Sequence, residues 1–268
     1  MDENSETTLS IHAENKDDTN SAILSIFQDS TRFETAQEYF EHNLIHTVVF
    51  QHIDNPSFDY LRTKAQLGYI AYARSFVYRD VIAGGFIVQS AVKSPEYVFS
   101  KCNDFLEIYK EKLDSLTDED YETTVKAVIM NKKEIDNSLL QETFRLFTRI
   151  EKHTYDFDYK EKQIEYLEKM INKEDLEFYN KSKKAVVNHY NQLFFGKSEG
   201  NSGPRIINIE LISNQHKEEN SESYTENKEK YKREKRKIID VSQISKFKNG
   251  SVLYPDNMHS RFANYSTE

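Results

Sequence analysis

The hydrophobic period of this chain changes from two to about 3.6 and back to two, so the fold must combine a sheet with helices. Residues Thr7 to His12, containing TLSIH, and Ala22 to Phe27, AILSIF, alternate between apolar and polar around a polar ENKDDTNS spacer. That is the pattern of two short strands joined by a turn. From Phe33 to about His52, the residues Phe33, Ala36, Tyr39, Phe40, Leu44, Ile45, Val48 and Val49 recur at steps of three and four, which predicts a helix. Asn55-Pro56 should end that helix or the turn after it, because the residue before proline is pushed out of the α region. Two further strands are predicted, Tyr69 to Phe76 and Gly84 to Val92, separated by a polar bend near Tyr78-Arg79-Asp80.

Glycine and proline are then nearly absent up to about Leu193, as helices prefer. Ser94-Pro95-Glu96 opens a helix running to about Leu113, with a capping serine, proline at the first position and an acid in the first turn. Thr117 and Asp120 form a box-like cap for the next helix. Asn137 or Ser138 to about His153, Tyr159 to Met170, and Lys173 to about Leu193 read as three more. After Pro204 the segment RIINIELIS returns to period two as a final strand. The order of elements predicts an α+β fold: one antiparallel or mixed sheet with helices packed mainly on one face. The expected organisation is a loose start at 1–6, a domain over 7–215, a charged loop or linker over 216–240, a docking tail over 241–256 and a loose end at 257–268.

Composition excludes several classes. The 268 residues are 37% hydrophobic and 30% charged, and their longest apolar runs, such as Phe86-Ile87-Val88, fall far short of the roughly 20 residues that cross a bilayer. The start, MDENSETTLS, has neither the positive end nor the apolar segment of a secretory signal, so a cytoplasmic location is expected. One cysteine, Cys102, leaves no disulfide framework and no Cys-rich metal site. A net charge of −9 argues against nucleic acid as the partner of the whole chain. The stretch from Lys217 to Lys237 carries 14 charged residues among 21, and Lys228 to Lys237 has seven positive against two negative charges. Without interleaved aromatic residues beyond Tyr231 it reads as a solvated segment rather than a nucleic-acid platform.

Metal and nucleophile signatures are weak. Of eight histidines only His42 and His46 lie four apart on a helix, and the residues between them are Asn43, Leu44 and Ile45, with no carboxylate to act as base. No metal site is predicted for this chain. Cys102 on the helix after Ser94 reads as structural, and Gly84-Gly85 at a strand start reads as close packing. No G-x-S-x-G, P-loop or dinucleotide glycine pattern occurs.

The informative segment is Phe58 to Tyr69, FDYLRTKAQLGY. An arginine stands seven residues before a tyrosine, with Gly68 permitting close backbone approach just before a strand. Arg62 can offer planar donors to a carbonyl or carboxylate, and the Tyr69 hydroxyl can donate to a developing oxyanion. The bland alternative is a helix-to-strand turn with a surface arginine and a half-buried tyrosine.

LRTKAQLGY resembles the L-R-T-K-x-Q-L-G-Y segment in the last of the four homologous domains of the insulysin and pitrilysin family of zinc metallopeptidases. The resemblance continues through PSFDYLRTKAQLGYIAY, GGFIVQSAVKSPEYV, SLTDEDYE, YDFD and YLEKMINKEDLEFYNK to ISKFKNGSVLYP, and it includes the opening strands TLSIH and AILSIF. It thus covers roughly residues 7 to 255 and is weakest over 216–237. The resemblance implies an active site enclosed by two halves of a long chain. In it the first domain carries zinc on an inverted H-x-x-E-H motif, and the last domain presents its arginine and tyrosine to the bound peptide.

Carried over by motif, Arg62 holds a peptide carbonyl, Tyr69 supplies a donor to the tetrahedral intermediate, and Gly68 lines the substrate path. This sequence contains no H-x-x-E-H, so zinc is expected in a complementary domain rather than here. The leading expectation is the C-terminal domain of an insulysin-like zinc endopeptidase, a hydrolase inactive without its zinc-bearing N-terminal half. Its expected partners are a peptide and that half, with no nucleic acid and no membrane. The alternative is a non-catalytic peptide-binding or partner-binding protein of the same build.

Overall fold

A computed structural model describes residues 6–78, 80–152, 154–196, 204–216, 236–239 and 241–250. Six strands form one mixed sheet: β1 (Glu6–His12), β2 (Ser21–Gln28), β3 (Ala71–Tyr78), β4 (Val81–Ser90), β5 (Arg205–Ile212) and β6 (Arg236–Ile239), in the order β3-β4-β2-β5-β1-β6. Six longer helices accompany them: α1 (Ala36–Phe58), α2 (Pro95–Asp114), α3 (Asp118–Lys133), α4 (Leu139–Glu151), α5 (Tyr159–Met170) and α6 (Leu176–Phe195). A short helix, Ile244–Gly250, follows β6.

The α+β architecture is as expected, with two differences in pairing. TLSIH and AILSIF are both strands, but they do not pair with each other, because β5 lies between them, antiparallel to β2 and parallel to β1. Polar alternation marks a strand without naming its neighbour, and here the neighbour comes from almost 200 residues downstream, in register Leu9 with Ile209 and Leu24 with Ile209. The second difference lies in the stretch expected as a charged loop. His216 is buried, with Nδ1 2.8 Å from the Ser21 hydroxyl, and Arg236–Ile239 adds a parallel edge strand to β1. Backbone pairing is indifferent to side-chain charge, and an edge strand tolerates Arg236 and Lys237. The remainder of the charged run, 217–235, the end of the tail and the two chain ends lie outside the described residues.

Side-chain alternation builds the core. Ile23 and Phe27 of β2, Ala71 and Ala73 of β3, and Phe86 and Val88 of β4 face the helices and are buried with Leu44, Val48 and Ile53 of α1, Phe105 and Leu106 of α2, and Tyr190 and Phe194 of α6. Phe27 meets Phe194 edge-on at 5.0 Å and Phe86 meets Phe105 at 6.1 Å. Gly84 is needed for this packing, since a Cβ there would sit 2.0 Å from the Phe50 ring. By register, Leu9 and Ile11, Leu24 and Ile26, Ile207, Ile209 and Leu211, and Ile87 share the opposite face and are only half-buried. Among the described residues, no helix is long and apolar enough to cross a membrane.

The helix caps follow the sequence. Ser94 accepts from the Tyr97 N–H, Thr117 from Asp120, and Ser138 from Gln141. Pro56 does not end α1. The helix runs through it to Phe58 and then widens into a π-helical turn over Asp59–Lys64. Proline removes the N–H that would have bonded the His52 carbonyl, and the Tyr109 hydroxyl of α2 donates to that carbonyl instead, at 2.9 Å.

Candidate functional site

The segment after α1 is fixed from within. Leu61 and Leu67 are fully buried, and between them the chain closes by Ala65 N–H donating to Tyr60 C=O at 2.8 Å and Leu67 N–H to Leu61 C=O at 3.1 Å. Gln66 takes the left-handed conformation, with φ 51°, to complete the reversal. Gly68 then passes so close to β4 that a Cβ there would lie 2.1 Å from the Gln89 carbonyl oxygen, and Gln89 N–H donates to Ile70 C=O at 2.8 Å. Two buried leucines and one strand contact therefore set where Arg62 and Tyr69 stand, at the approach to the edge strand β3.

The structure brings these two residues together. The Arg62 guanidinium lies over the Tyr69 ring at 4.5 Å and over the Phe58 ring at 4.9 Å. The aromatic faces hold the planar cation without using its N–H groups. Among the described residues, Arg62 makes no ion pair or hydrogen bond; the neighbouring Asp59 pairs with Lys64 at 3.2 Å instead. Tyr69 is 80% exposed, and its hydroxyl has no hydrogen-bond partner among the described residues. Chemically this is an arginine fork and a phenol, both positioned, both with donors uncommitted and both in contact with solvent. Such a pair suits carbonyl or oxyanion oxygens.

The other candidates fall elsewhere. Cys102 is buried in the core, and burial pushes its thiol well above the usual range, as a structural cysteine requires. His46 does not share a ligand position with His42. It is fully buried, its Nε2 3.0 Å from the Ala83 carbonyl and its Nδ1 2.8 Å from His189 Nε2, and burial holds its pKa down to about 4. His42 pairs with Asp29 at 2.5 Å. Asp29 and His189 escaped the sequence reading because 160 residues separate them, and no local spacing connects a strand end to a distant helix.

Among the described residues, nothing covers the apolar side of α4. α4 buries none of its residues, and Leu139, Leu140, Phe144, Phe147 and Ile150 are exposed on it, with Ile135 and Phe157 nearby. A helix this amphipathic, with its apolar side in water, is the mark of a face that meets other protein.

Residues 48–147 match the family described as PQQ synthase PqqF-like, C-terminal lobe domain 4. The chain is 28% identical over 213 residues to the insulin-degrading enzyme of Drosophila melanogaster, covering 80% of this chain and 20% of that protein. It is 32% identical over 170 residues to human nardilysin, covering 62% of this chain and 14% of the relative. The crystal structure of pitrilysin matches 96% of the chain with a TM-score of 0.70 at 16% identity, using 24% of the pitrilysin chain. The chain thus spans between about a seventh and a quarter of the proteins it resembles.

Proposed function

We infer that this chain, related to the C-terminal lobe of the insulysin and pitrilysin peptidases, supplies substrate contacts and transition-state donors to a zinc endopeptidase whose metal is held by another lobe. One observation carries the reading: Arg62 stacked on Tyr69 at 4.5 Å, with the donors of both uncommitted among the described residues, in the motif that the family resemblance marks. The Arg62 guanidinium grips a peptide carbonyl and fixes the scissile bond, while the Tyr69 hydroxyl donates to the oxygen that becomes negative as the carbonyl is attacked. Gly68 lets the segment lie against β4, where a side chain would collide, and so holds Tyr69 in place beside the substrate. The Arg62–Tyr69 site does not suit the catalytic zinc itself. No H-x-x-E-H occurs in the sequence, and the Arg62–Tyr69 pair is cationic and phenolic rather than ligating.

The exposed apolar side of α4 and the half-buried outer face of the sheet support a partner of substantial area, and the occupant proposed is the zinc-bearing remainder of the peptidase. The test is complementation. The purified chain mixed with the N-terminal half of a homologous peptidase and zinc is expected to cleave a quenched fluorescent peptide that neither part cleaves alone. Peptide bound by the chain without any cleavage on mixing would favour the non-catalytic binder instead. Absence of both binding and cleavage would overturn the reading.

A further inference from the structure

A second cluster lies at the other end of α1, about 24 Å along the helix from the π-turn, given 1.5 Å per residue from His42 to Phe58. Asp29 at the end of β2, His42 on α1 and His189 on α6 bring one carboxylate oxygen and two imidazole nitrogens within 4.8 Å of one another. Asp29 and His189 are 5% and 3% exposed, and His42 opens the cluster to solvent with 17% of its side chain.

The hydrogen bonds around the cluster dictate which atoms face inward. The Ala83 carbonyl can only accept, so His46 Nε2 carries the proton and, in a neutral ring, His46 Nδ1 accepts. His189 Nε2 must then be the donor in the 2.8 Å contact, which leaves His189 Nδ1 as a bare lone pair. That nitrogen is buried, has no hydrogen-bond partner among the described residues, and stands 3.8 Å from Asp29 Oδ2, an atom that also only accepts. A buried lone pair without a donor, beside a carboxylate oxygen that can only accept, is a place for a cation. Asp29 is prepared in the same way. Its Oδ1 accepts from the Thr31 N–H at 2.8 Å and the Thr31 hydroxyl at 2.7 Å, which turns Oδ2 into the cluster, where it lies 2.5 Å from His42 Nε2.

We propose that Asp29, His42 and His189 bind one divalent transition-metal ion, zinc or its like, at a site separate from the Arg62–Tyr69 pair. Two imidazoles and one carboxylate with an open fourth position form a zinc-type donor set, whereas calcium and magnesium require more oxygen ligands. His46 and Thr31 are the outer groups that fix the His189 tautomer and the Asp29 rotamer, as partners of metal ligands do. On binding, His42 gives up the Nε2 proton it shares with Asp29, and that proton leaves to solvent or moves to Nδ1. The two donor atoms part from 2.5 Å to roughly 3.3 Å, the spacing set by bonds of about 2.0–2.1 Å in a tetrahedron. The ion ties the end of β2, α1 and α6 together, so it acts on the stability of the helix that leads into the π-turn carrying Arg62.

The test uses the full chain, stripped with chelator and then titrated with zinc or cobalt. One equivalent of zinc is expected to bind and raise the melting temperature where magnesium does not, and cobalt is expected to give the visible bands of a four-coordinate site, erased by zinc. Asp29→Asn keeps the Thr31 contacts, and His189→Gln keeps a donor toward His46. Each should weaken zinc binding by roughly a hundredfold or more, since loss of even outer groups costs about 10–100-fold. A cobalt spectrum that is octahedral or absent in the unsubstituted chain would overturn the site without any variant. Zinc binding undiminished in both variants would do the same, leaving Asp29 and His42 as a plain hydrogen-bonded pair.

Discussion

Arg62 is held by rings rather than by acids, and this decides what it can do. An arginine already paired with a carboxylate would have to break that pair to grip a peptide, whereas one stacked on Tyr69 and Phe58 keeps its N–H donors available. Gly68 is the residue on which this arrangement turns. Replacing it with alanine puts a methyl 2.1 Å from the Gln89 oxygen, so either β4 or the Tyr69 backbone must shift. Gly68→Ala is expected to cost about 1–3 kcal/mol in urea unfolding, in the range of overpacking, and to weaken peptide binding by the complemented enzyme more than its stability loss explains. An unchanged denaturation midpoint would show that the close approach is not maintained in solution. The need for glycine here was legible in the sequence, because a glycine between a helical pattern and a strand marks close approach. The cation–π contact was not, since a spacing of seven residues says nothing about how a chain doubles back through a π-turn.

At the scale of elements, α1 depends on a contact that no helical pattern discloses. Pro56 deprives the His52 carbonyl of its helical donor, and Tyr109, 53 residues further on, supplies one; the same hydroxyl is 2.6 Å from His52 Nδ1. Tyr109→Phe therefore leaves a buried carbonyl unsatisfied and is expected to destabilise the chain by about 1–3 kcal/mol, with faster amide exchange concentrated over residues 56–64. A phenylalanine variant as stable as the original would mean that water or a local bend satisfies that carbonyl. Helix starts were legible because each cap is local: Ser94, Thr117 and Ser138 bond an N–H three residues on. Helix ends and strand partners were less so. The insertion of β5 between β1 and β2, the strand at Arg236–Ile239 and the passage of α1 through Pro56 all depend on groups far away in sequence. Asp29 and His189 are hidden for the same reason.

For the whole molecule, function follows from what the fold leaves open. The helices cover one face of the sheet, leaving the other face half-buried and α4 with an uncovered apolar side. Such surfaces fit contact with further protein. Under the proposed function, the chain's part in the reaction is the pair of donors on Arg62 and Tyr69. The most direct measurement is kcat/KM of the complemented enzyme with Tyr69→Phe, at equal zinc content and equal assembly. The residue is 80% exposed and its hydroxyl has no hydrogen-bond partner among the described residues, so the variant should fold with unchanged stability. The account predicts a loss of about a hundredfold or more, as for the removal of one oxyanion donor; activity equal to that of the unsubstituted chain would contradict it.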